Sequence, residues 1–246
     1  MTRYNGNAAR LYLSSRSEWR EASSDLATIT ENREAVTVEL PGFGRPTPLH
    51  AAVRRIVSYD IAGVYTDETQ AGLLEDIDNF EVLIAAGSGE LEPVAGDLVE
   101  YMPDAIKEDY EATAEENELK RLTATFIVGE SRGLMDGQLV YPLANHADSG
   151  STYNNTPINL VANQPDYLLM WGEEAGVDAR DNVDFLVQSS GGGGDIGTGN
   201  TLVWNEKDMV LNGPHTPTTE GIMRVSNQSL SGGARTWALA ILYERD

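Results

Sequence analysis

The residues of this 246-residue chain that most resemble a chemical motif are three glycines near its end. Gly192, Gly194 and Gly197 have the G-x-G-x-x-G spacing of a dinucleotide-binding loop. That loop must open a helix, so that the pyrophosphate meets the helix N-terminus. Residues 198–200 lead instead towards another strand-like run, which favours a glycine-rich hairpin loop without a nucleotide.

A second candidate site is the oxygen-rich stretch 178–184, which includes three aspartates and Asn182. Carboxylate and amide oxygens are the ligands that calcium prefers, although the spacing here fits no EF-hand loop. The weak calcium candidates are Asp178, Asp181 and Asp184.

The remaining composition argues against catalysis and bound cofactors. The chain has no cysteine, and its three histidines, His50, His146 and His215, lie far apart without metal-ligand spacing. It contains neither a phosphate-binding G-x-x-x-x-G-K-[ST] loop nor a G-x-S-x-G nucleophile motif. Because no residue set meets the roles that catalysis demands, the sequence predicts a protein that is not an enzyme and needs no cofactor.

The charge balance is strongly acidic. The chain has 39 aspartates and glutamates against 17 lysines and arginines, a formal net charge of -22. Such a surface repels nucleic acid phosphates and anionic membranes. A halophilic proteome explains this acidity, because molar salt screens the self-repulsion. The N-terminus lacks a signal-peptide core, and no run approaches the ~20 apolar residues of a membrane span, so we expect a soluble protein made inside a cell.

The central element of the first half is a long loop between two alternating runs. Val36, Val38 and Leu40 alternate before it, and Val57 and Ile61 alternate after it, as half-buried strands do. Residues 41–52 between them are rich in proline and glycine and cannot form a helix. A connection of this length in a compact domain is usually functional, for example by lying on another chain.

The other elements alternate between strand and polar connection, with one helix. Leu73, Leu74 and Ile77 fall on one face at helical spacing, which predicts a helix over 67–79 packed on the next strand. Its acidic side is interpreted as a solvated face. Residues 16–25 and 103–118 are predicted to be connections, with Trp19 in the first as a packing residue. Strands are predicted over 11–13, 26–40, 80–86, 94–102, 119–128, 138–143, 167–171, 183–187, 201–204, 222–225 and 236–243.

A change of composition divides the chain. Residues 144–157 are mostly Asn, Ser, Thr, Gly and Asp, as in linkers between domains. Short strands with turn-rich gaps follow it, a pattern typical of a β-sandwich or jelly roll. We therefore expect a mainly β protein with a first β domain (1–143), a linker (144–160) and a second domain that is a β-sandwich (161–246).

The order of motifs in residues 1–143 resembles the major tail tube protein of siphovirus-type viruses. It has an N-terminal arm and the turn of Ser23, Ser24 and Asp25. A Phe-Gly loop (Gly42-Phe43-Gly44) follows, then the step Gly63-Val64-Tyr65-Thr66-Asp67, one helix and a closing strand pair. The second half, from about Tyr167, is similar to the extra β domain of tail tube proteins in actinobacterial viruses. The acidity and the ending TWALAILYERD depart from that pattern and suggest a virus of a halophilic archaeon.

The resemblance implies a structural protein located in the virion tail and assembled in the host cytoplasm. Copies of the chain, about six to a ring, would join their sheets into an inner barrel, and rings would stack helically into a tube for genome ejection. Its other partners would be the tape measure, terminator and distal tail proteins, with DNA passing through unbound and no membrane contact. The residues implied in inter-ring contacts are Pro41, Gly42, Phe43, Gly44, Arg45, Pro46 and His50 in the loop and Arg3, Tyr4 and Asn5 in the N-terminal arm.

A different class of function stays open at this point. The C-terminal domain could belong to a minor tail or receptor-binding protein that recognises a cell-surface ligand. Trp171, Trp204 and Trp237 could line such a site, although the alternation around Trp237 favours a core position.

Overall fold

The computed structural model describes most of the strands and the shorter turns of the chain. The described residues are 9–15, 18–23, 26–40, 49–64, 80–87, 92–113, 121–128, 133–146, 153–160, 166–173, 181–188, 200–204, 209–215, 221–229 and 235–244.

The described part of the chain consists of fifteen antiparallel β-strands, and no helix occurs in it. The mainly β class predicted from the alternating pattern is therefore confirmed. The strands are β1 (Ala9–Ser15), β2 (Glu18–Glu21), β3 (Leu26–Leu40), β4 (Leu49–Val64), β5 (Phe80–Ala86), β6 (Leu98–Thr113), β7 (Arg121–Val128), β8 (Met135–His146), β9 (Tyr153–Leu160), β10 (Asp166–Glu173), β11 (Asp181–Gln188), β12 (Asn200–Trp204), β13 (Met209–His215), β14 (Gly221–Ser229) and β15 (Arg235–Glu244).

Eleven of these strands form one sheet in the order β13-β10-β15-β8-β6-β5-β1-β2, to which β7, β4 and β3 are added through β6. The other four form a sheet in the order β12-β11-β14-β9. The long strand β6 joins two parts of the large sheet. Along one edge it pairs first with β8 (Leu98–Tyr101) and then with β7 (Ala105–Thr113), while β5 occupies the opposite edge from Leu98 to Ala105.

Because β6 changes partner, the sheet folds back on itself and encloses a core. Alternate residues of β1 and β5, such as Leu11 and Ile84, pack against Tyr59 of β4 and Phe126 of β7 in this first core. The intervening residues, such as Tyr12 and Leu83, face a second core shared with β8, β10 and β15. Central strands β1 and β5 are therefore buried on both faces.

Strand β15 is also buried on both faces. From Trp237 to Leu242, every side chain is at most 1% exposed. Trp237 is thus a core residue, as the alternation predicted. Trp19 is likewise buried, and its Nε1 donates a hydrogen bond of 2.7 Å to the carbonyl oxygen of Gly172, which confirms the packing role expected of it.

Several predicted strand boundaries need correction. The predicted connection at 103–118 is wrong, because β6 continues to Thr113. A register shift between Lys107 and Asp109 breaks the alternation there, and its outward residues are acidic, so the stretch looks like a loop in sequence. Residues 49–52 of the predicted loop already belong to β4. Strands β2, β9 and β13 lie in stretches for which no strand was predicted.

The proposed linker contains regular structure. Residues 144–146 end β8, and 153–160 form β9. Strands from both sides of this segment share one sheet, because β15 pairs with β8 from Met135 to His146. The division of the chain into domains stays a prediction. The helix predicted over 67–79 lies outside the described residues.

Candidate functional site

The four strands β3, β4, β7 and β6 present one face to the first core and the opposite face outward. Tyr59, Ile61, Ala124 and Phe126 are buried on the core face. Alternation places their neighbours on the outward face, where the strand registers arrange them in rows across the sheet. The rows are Asn32, Ser58, Ile127 and Ile106; Thr30, Asp60, Thr125 and Asp109; and Thr28, Ala62, Thr123 and Glu111.

Asp60 links three strands on this outward face. It accepts hydrogen bonds of 2.6 Å from Asn32 Nδ2 on β3 and 2.8 Å from Thr125 Oγ1 on β7. Cross-strand pairs of this kind hold neighbouring strands in register. The polar network therefore stiffens the face without any contribution from the core.

The outward face is acidic and rich in hydroxyl groups. Where β7 supports β4, the described acidic residues of this face are Asp60, Asp109 and Glu111, and the described basic residue is Arg121. Nearby cations are directed elsewhere: Lys107 Nζ lies 5.4 Å and 4.9 Å from the ring centroids of Phe80 and Tyr110. The face therefore carries a net negative potential that disfavours binding of phosphates.

Two edges of this four-stranded segment lack a partner among the described residues. Strand β3 pairs with β4 along one edge and with nothing described along the other. From Ile106 to Thr113, β6 pairs with β7 alone. Unpaired backbone groups along such edges are templates for pairing with another chain.

The β3–β4 pair extends beyond the rest of the sheet. Strand β7 supports β4 only from Ser58 to Val64, whereas β3 pairs with β4 as far as Leu40 and Leu49. We call the part of this pair that continues beyond β7, residues 33–40 and 49–57, the hairpin arm. A two-stranded hairpin is marginally stable by itself, so the direction of the arm depends on its base.

A group of polar side chains at the base of the arm joins the β3–β4 pair to β6 across the first core, and its arginine side chain is 43% exposed. It consists of Glu31 and Arg33 on β3, Tyr59 on β4 and Glu100 on β6, and is called the interlayer cluster. Arg33 forms ion pairs through Nε with Glu31 and, at 3.0 Å, through a terminal nitrogen with Glu100 Oε1. The Tyr59 hydroxyl donates a 2.5 Å hydrogen bond to Glu100 Oε2.

Both carboxylates of the interlayer cluster are buried, with Glu31 6% and Glu100 8% exposed. Buried charges require compensation, because desolvation costs several kcal/mol for each ion. Burial acts to lower the pKa of Arg33, but hydrogen bonding and attraction from Glu31 and Glu100 outweigh it and raise that pKa. Arg33 therefore stays charged while it holds carboxylates from two layers.

A separate charged group lies at the other side of the sheet. Arg10 pairs at 3.2 Å with both Glu21 and Glu92, beside a cavity of 190 Å³ lined by Tyr12 and Trp171. This volume is below the range of typical ligand pockets. Burial raises the pKa of Glu21 against the opposing effects of Arg10 and Ser23. Burial, with smaller contributions from Glu21 and Glu92, also raises the pKa of Tyr12.

Replacing Tyr12 with phenylalanine is expected to make the protein more resistant to alkali. The folded-state pKa of Tyr12 is raised, so its contribution to stability is complete below the unfolded-state pKa of about 10 and is lost as pH rises through the folded-state pKa. Phenylalanine cannot ionise, so the stability lost between neutral and alkaline pH should shrink. Guanidinium unfolding curves of both proteins at neutral pH and above pH ~11 measure this, and equal losses in the two proteins would contradict it.

Most sequence-predicted site residues lie outside the described chain. These are Arg3, Tyr4, Asn5, Pro41, Gly42, Phe43, Gly44, Arg45, Pro46 and Asp178. His50 belongs to β4 and pairs with Glu39, while Asp181 and Asp184 belong to β11. Within the described ranges, no group of three or more acidic or histidine side chains is arranged to hold a metal ion.

Two of the three tryptophans suggested as a ligand platform are buried. Trp171 is 1% and Trp237 0% exposed, so neither ring offers a face to a ligand on the surface. Trp171 instead packs on Tyr12, with ring centroids 5.5 Å apart, and Trp237 packs on Tyr141 at 5.4 Å. Trp204 belongs to β12.

Sequence reasoning missed the interlayer cluster. From sequence, Glu31 and Arg33 are placed in the strand predicted over 26–40 and Glu100 in the strand predicted over 94–102, with no further role for any of them. The available signal was the placement of Glu31 and Arg33 at every second position with Ile29, on the face that alternation assigns to the core. The partner on β6 is far away in sequence and carries no local signal.

Comparison with known proteins finds similar solved structures but no similar sequence family or curated protein. No family model and no curated protein matches the chain. A chain from the virion of a native gene transfer agent particle has 14% sequence identity and a TM-score of 0.37, covering 52% of this chain and 96% of that one. The SPP1 Dit protein, described as a paradigm of the hub adsorption apparatus in phages that infect Gram-positive bacteria, has 8% identity and a TM-score of 0.31, covering 95% and 98%. These structural neighbours are thus components of a virion and of a phage adsorption apparatus.

The part of the chain that the structure describes contains no helix long and apolar enough to cross a membrane.

Proposed function

We propose that the chain is a structural subunit of a viral tail tube, the conduit through which DNA leaves the capsid. The observation that carries this proposal is the pair of edges, on β3 and on β6 from Ile106 to Thr113, that have no partner among the described residues and lie at the two sides of one four-stranded segment. The order of sequence motifs in the first half supports it.

The directions of the strands are compatible with ring closure. Strands β3, β4, β7 and β6 are successively antiparallel, so β3 and β6 run in opposite directions. Rotation about a ring axis preserves strand direction, and β6 of one copy would therefore meet β3 of the next as an antiparallel neighbour. A ring of about six copies would close a barrel of roughly two dozen strands and remove both open edges.

The outward face would line the lumen of this barrel. Its acidic residues, Asp60, Asp109 and Glu111 among them, would repel the phosphates of passing DNA. The hydroxyl groups of this face would bind water and would add no positive charge that could attract DNA. In molar salt the repulsion weakens, which fits a conduit that needs only to avoid adhesion.

The hairpin arm and the N-terminal arm would contact the adjacent ring, and the C-terminal strands would decorate the outside. We assign the protein to the virion tail, assembled in the host cytoplasm, with the tape measure, terminator and distal tail proteins as further partners. The net charge of -22 supports a virus of a halophilic archaeon. The burial of Trp171 and Trp237 gives no support to a receptor-binding surface at these two residues.

Negative-stain electron microscopy of the purified protein in molar salt tests the proposal. We expect rings or tubes of uniform width. Dispersed monomers or small oligomers under all salt conditions, together with absence of the protein from the shaft of a virion, would contradict it.

Shortening the hairpin arm is expected to abolish tubes while leaving the subunit folded. Val38 and Ala51 are opposite each other in the arm, so replacing residues 39–50 with Asn-Gly gives a two-residue hairpin turn in the same register. Val57, the arm residue that packs against the first core, is retained in the shortened protein, and we expect a stability change within about 1 kcal/mol. Microscopy and denaturant unfolding measure the two effects.

The length-preserving substitution Phe43→Ser is the matched comparison for the shortened arm. It should weaken stacking without removing the backbone of the arm. Normal tube yield from the shortened protein would refute an inter-ring role for this segment.

A further inference from the structure

The hairpin arm leaves the body of the protein at a defined row of the sheet. Ser58 on β4 still pairs with Ile127 of β7, whereas the one partner of Val57 among the described residues is Arg33 of β3. Arg33 therefore lies in the first row of the arm without lateral support. Whatever fixes the direction of the arm must act at this row or just below it.

Arg33 connects this row to the opposite layer of the sheet. Its Nε binds Glu31 on its own strand, and its terminal nitrogen reaches Glu100 Oε1 on β6 at 3.0 Å. Tyr59, two residues beyond Val57 on β4, donates a hydrogen bond of 2.5 Å from its hydroxyl group to the other carboxylate oxygen of Glu100. One carboxylate of the body thus holds both strands of the hairpin at the base of the arm.

We propose that Arg33 is the positioning residue of the hairpin arm, and that its fork between Glu31 and Glu100 sets the angle at which the arm leaves the body. A guanidinium presents donors in a rigid plane, so two carboxylates at fixed places define its orientation. Lysine would supply the charge but not the plane. The Tyr59 hydrogen bond keeps Glu100 in the orientation that Arg33 requires.

A small change of angle at the interlayer cluster gives a large displacement at the far end of the arm. From Arg33 to Leu40 the arm spans about seven residue steps, roughly 24 Å at 3.4 Å per residue. A rotation of about 10° at the base would move its far end by roughly 4 Å. The inference rests on the proposed function in one respect only, namely that the angle would decide where the arm meets a neighbouring subunit.

A distance measurement in the unassembled subunit tests the proposal. The chain has no cysteine, so Thr37→Cys in the arm and Glu111→Cys on β6 introduce the sole attachment sites for two nitroxide labels. Double electron–electron resonance gives the distribution of distances between them. We expect a narrow distribution with Arg33 present, and one at least about twofold wider or clearly displaced in Arg33→Met and Arg33→Lys, because a free two-stranded hairpin is only marginally ordered.

Two further variants keep the test decisive. Arg20→Met removes an arginine from β2, far from the arm in the strand order, and should leave the distribution unchanged. If Arg33→Met does not fold, the triple variant Glu31→Gln, Arg33→Met and Glu100→Gln removes the buried charges together with the fork and should still widen the distribution. A native distribution in folded Arg33→Lys or in the triple variant overturns the proposal. Because the subunits are unassembled, failure of the tube proposal leaves this result unaffected.

Discussion

A protein truncated after residue 150 is expected not to fold by itself. The missing strands β10 and β15 supply Trp171, Leu169 and Ala240 to the second core. Their removal uncovers large buried side chains, including Tyr12 and Tyr101. It also removes the partner of β8 along Met135–His146 and leaves that edge open. Exposed apolar surface next to an open edge promotes aggregation.

Circular dichroism, sedimentation and denaturant unfolding of residues 1–150 measure this outcome. Co-expression with residues 151–246 provides the matched control, because the two pieces should restore a soluble complex if they share one sheet. The predicted domain division at 144–160 leads to the opposite expectation. A soluble monomeric fragment with cooperative unfolding would establish that the first half is an independent domain.

Substitution of Gly137 with alanine is expected to destabilise the protein severely. Gly137 lies on β8 opposite Leu242 of β15. A Cβ at this position would overlap the carbonyl oxygen of Ile241 and lie 2.8 Å from its carbonyl carbon and 2.9 Å from the Cα of Leu242. These are backbone atoms of a strand buried on both faces, which cannot move aside alone. We expect a loss of at least about 3 kcal/mol, at the upper end of overpacking effects.

Gly133→Asn is the matched control for Gly137→Ala. Gly133 has a φ of +73°, and a Cβ there would meet nothing within 4 Å. Asparagine tolerates the left-handed region, so we expect a change within about 1 kcal/mol. Chemical denaturation of both variants gives the comparison. Equal stability of Gly137→Ala and the parent protein would mean that β8 and β15 are farther apart than described.

The strand content could be predicted from alternation wherever one face is buried and the other exposed. Strand β7 is such a case, with Leu122, Ala124 and Phe126 inward and threonines between them. Strand β5 has the predicted bounds because it is an apolar run in which Glu81 is the one polar residue. Local pattern suffices for strands of these two kinds.

Other strands could not be predicted because their pattern depends on distant partners. The register shift near Lys107 changes the phase of β6, and its far half looks polar because the outward-facing residues there are acidic. The order of strands also could not be derived, since β15, at the end of the chain, lies between β8 and β10. For the same reason the pairing of Arg33 with Glu100 follows from the folded sheet and not from spacing.

The long strand β6 has a mechanical consequence. It borders both the four-stranded segment that bears the hairpin arm and the strands around the second core. A force applied along the arm is transmitted from β3 and β4 to β7 and β6 in a direction roughly parallel to the strand axes. Such a load acts in shear, so that many backbone hydrogen bonds resist it together and do not break one at a time. The strands can therefore transmit tension along their length without separating one hydrogen bond at a time.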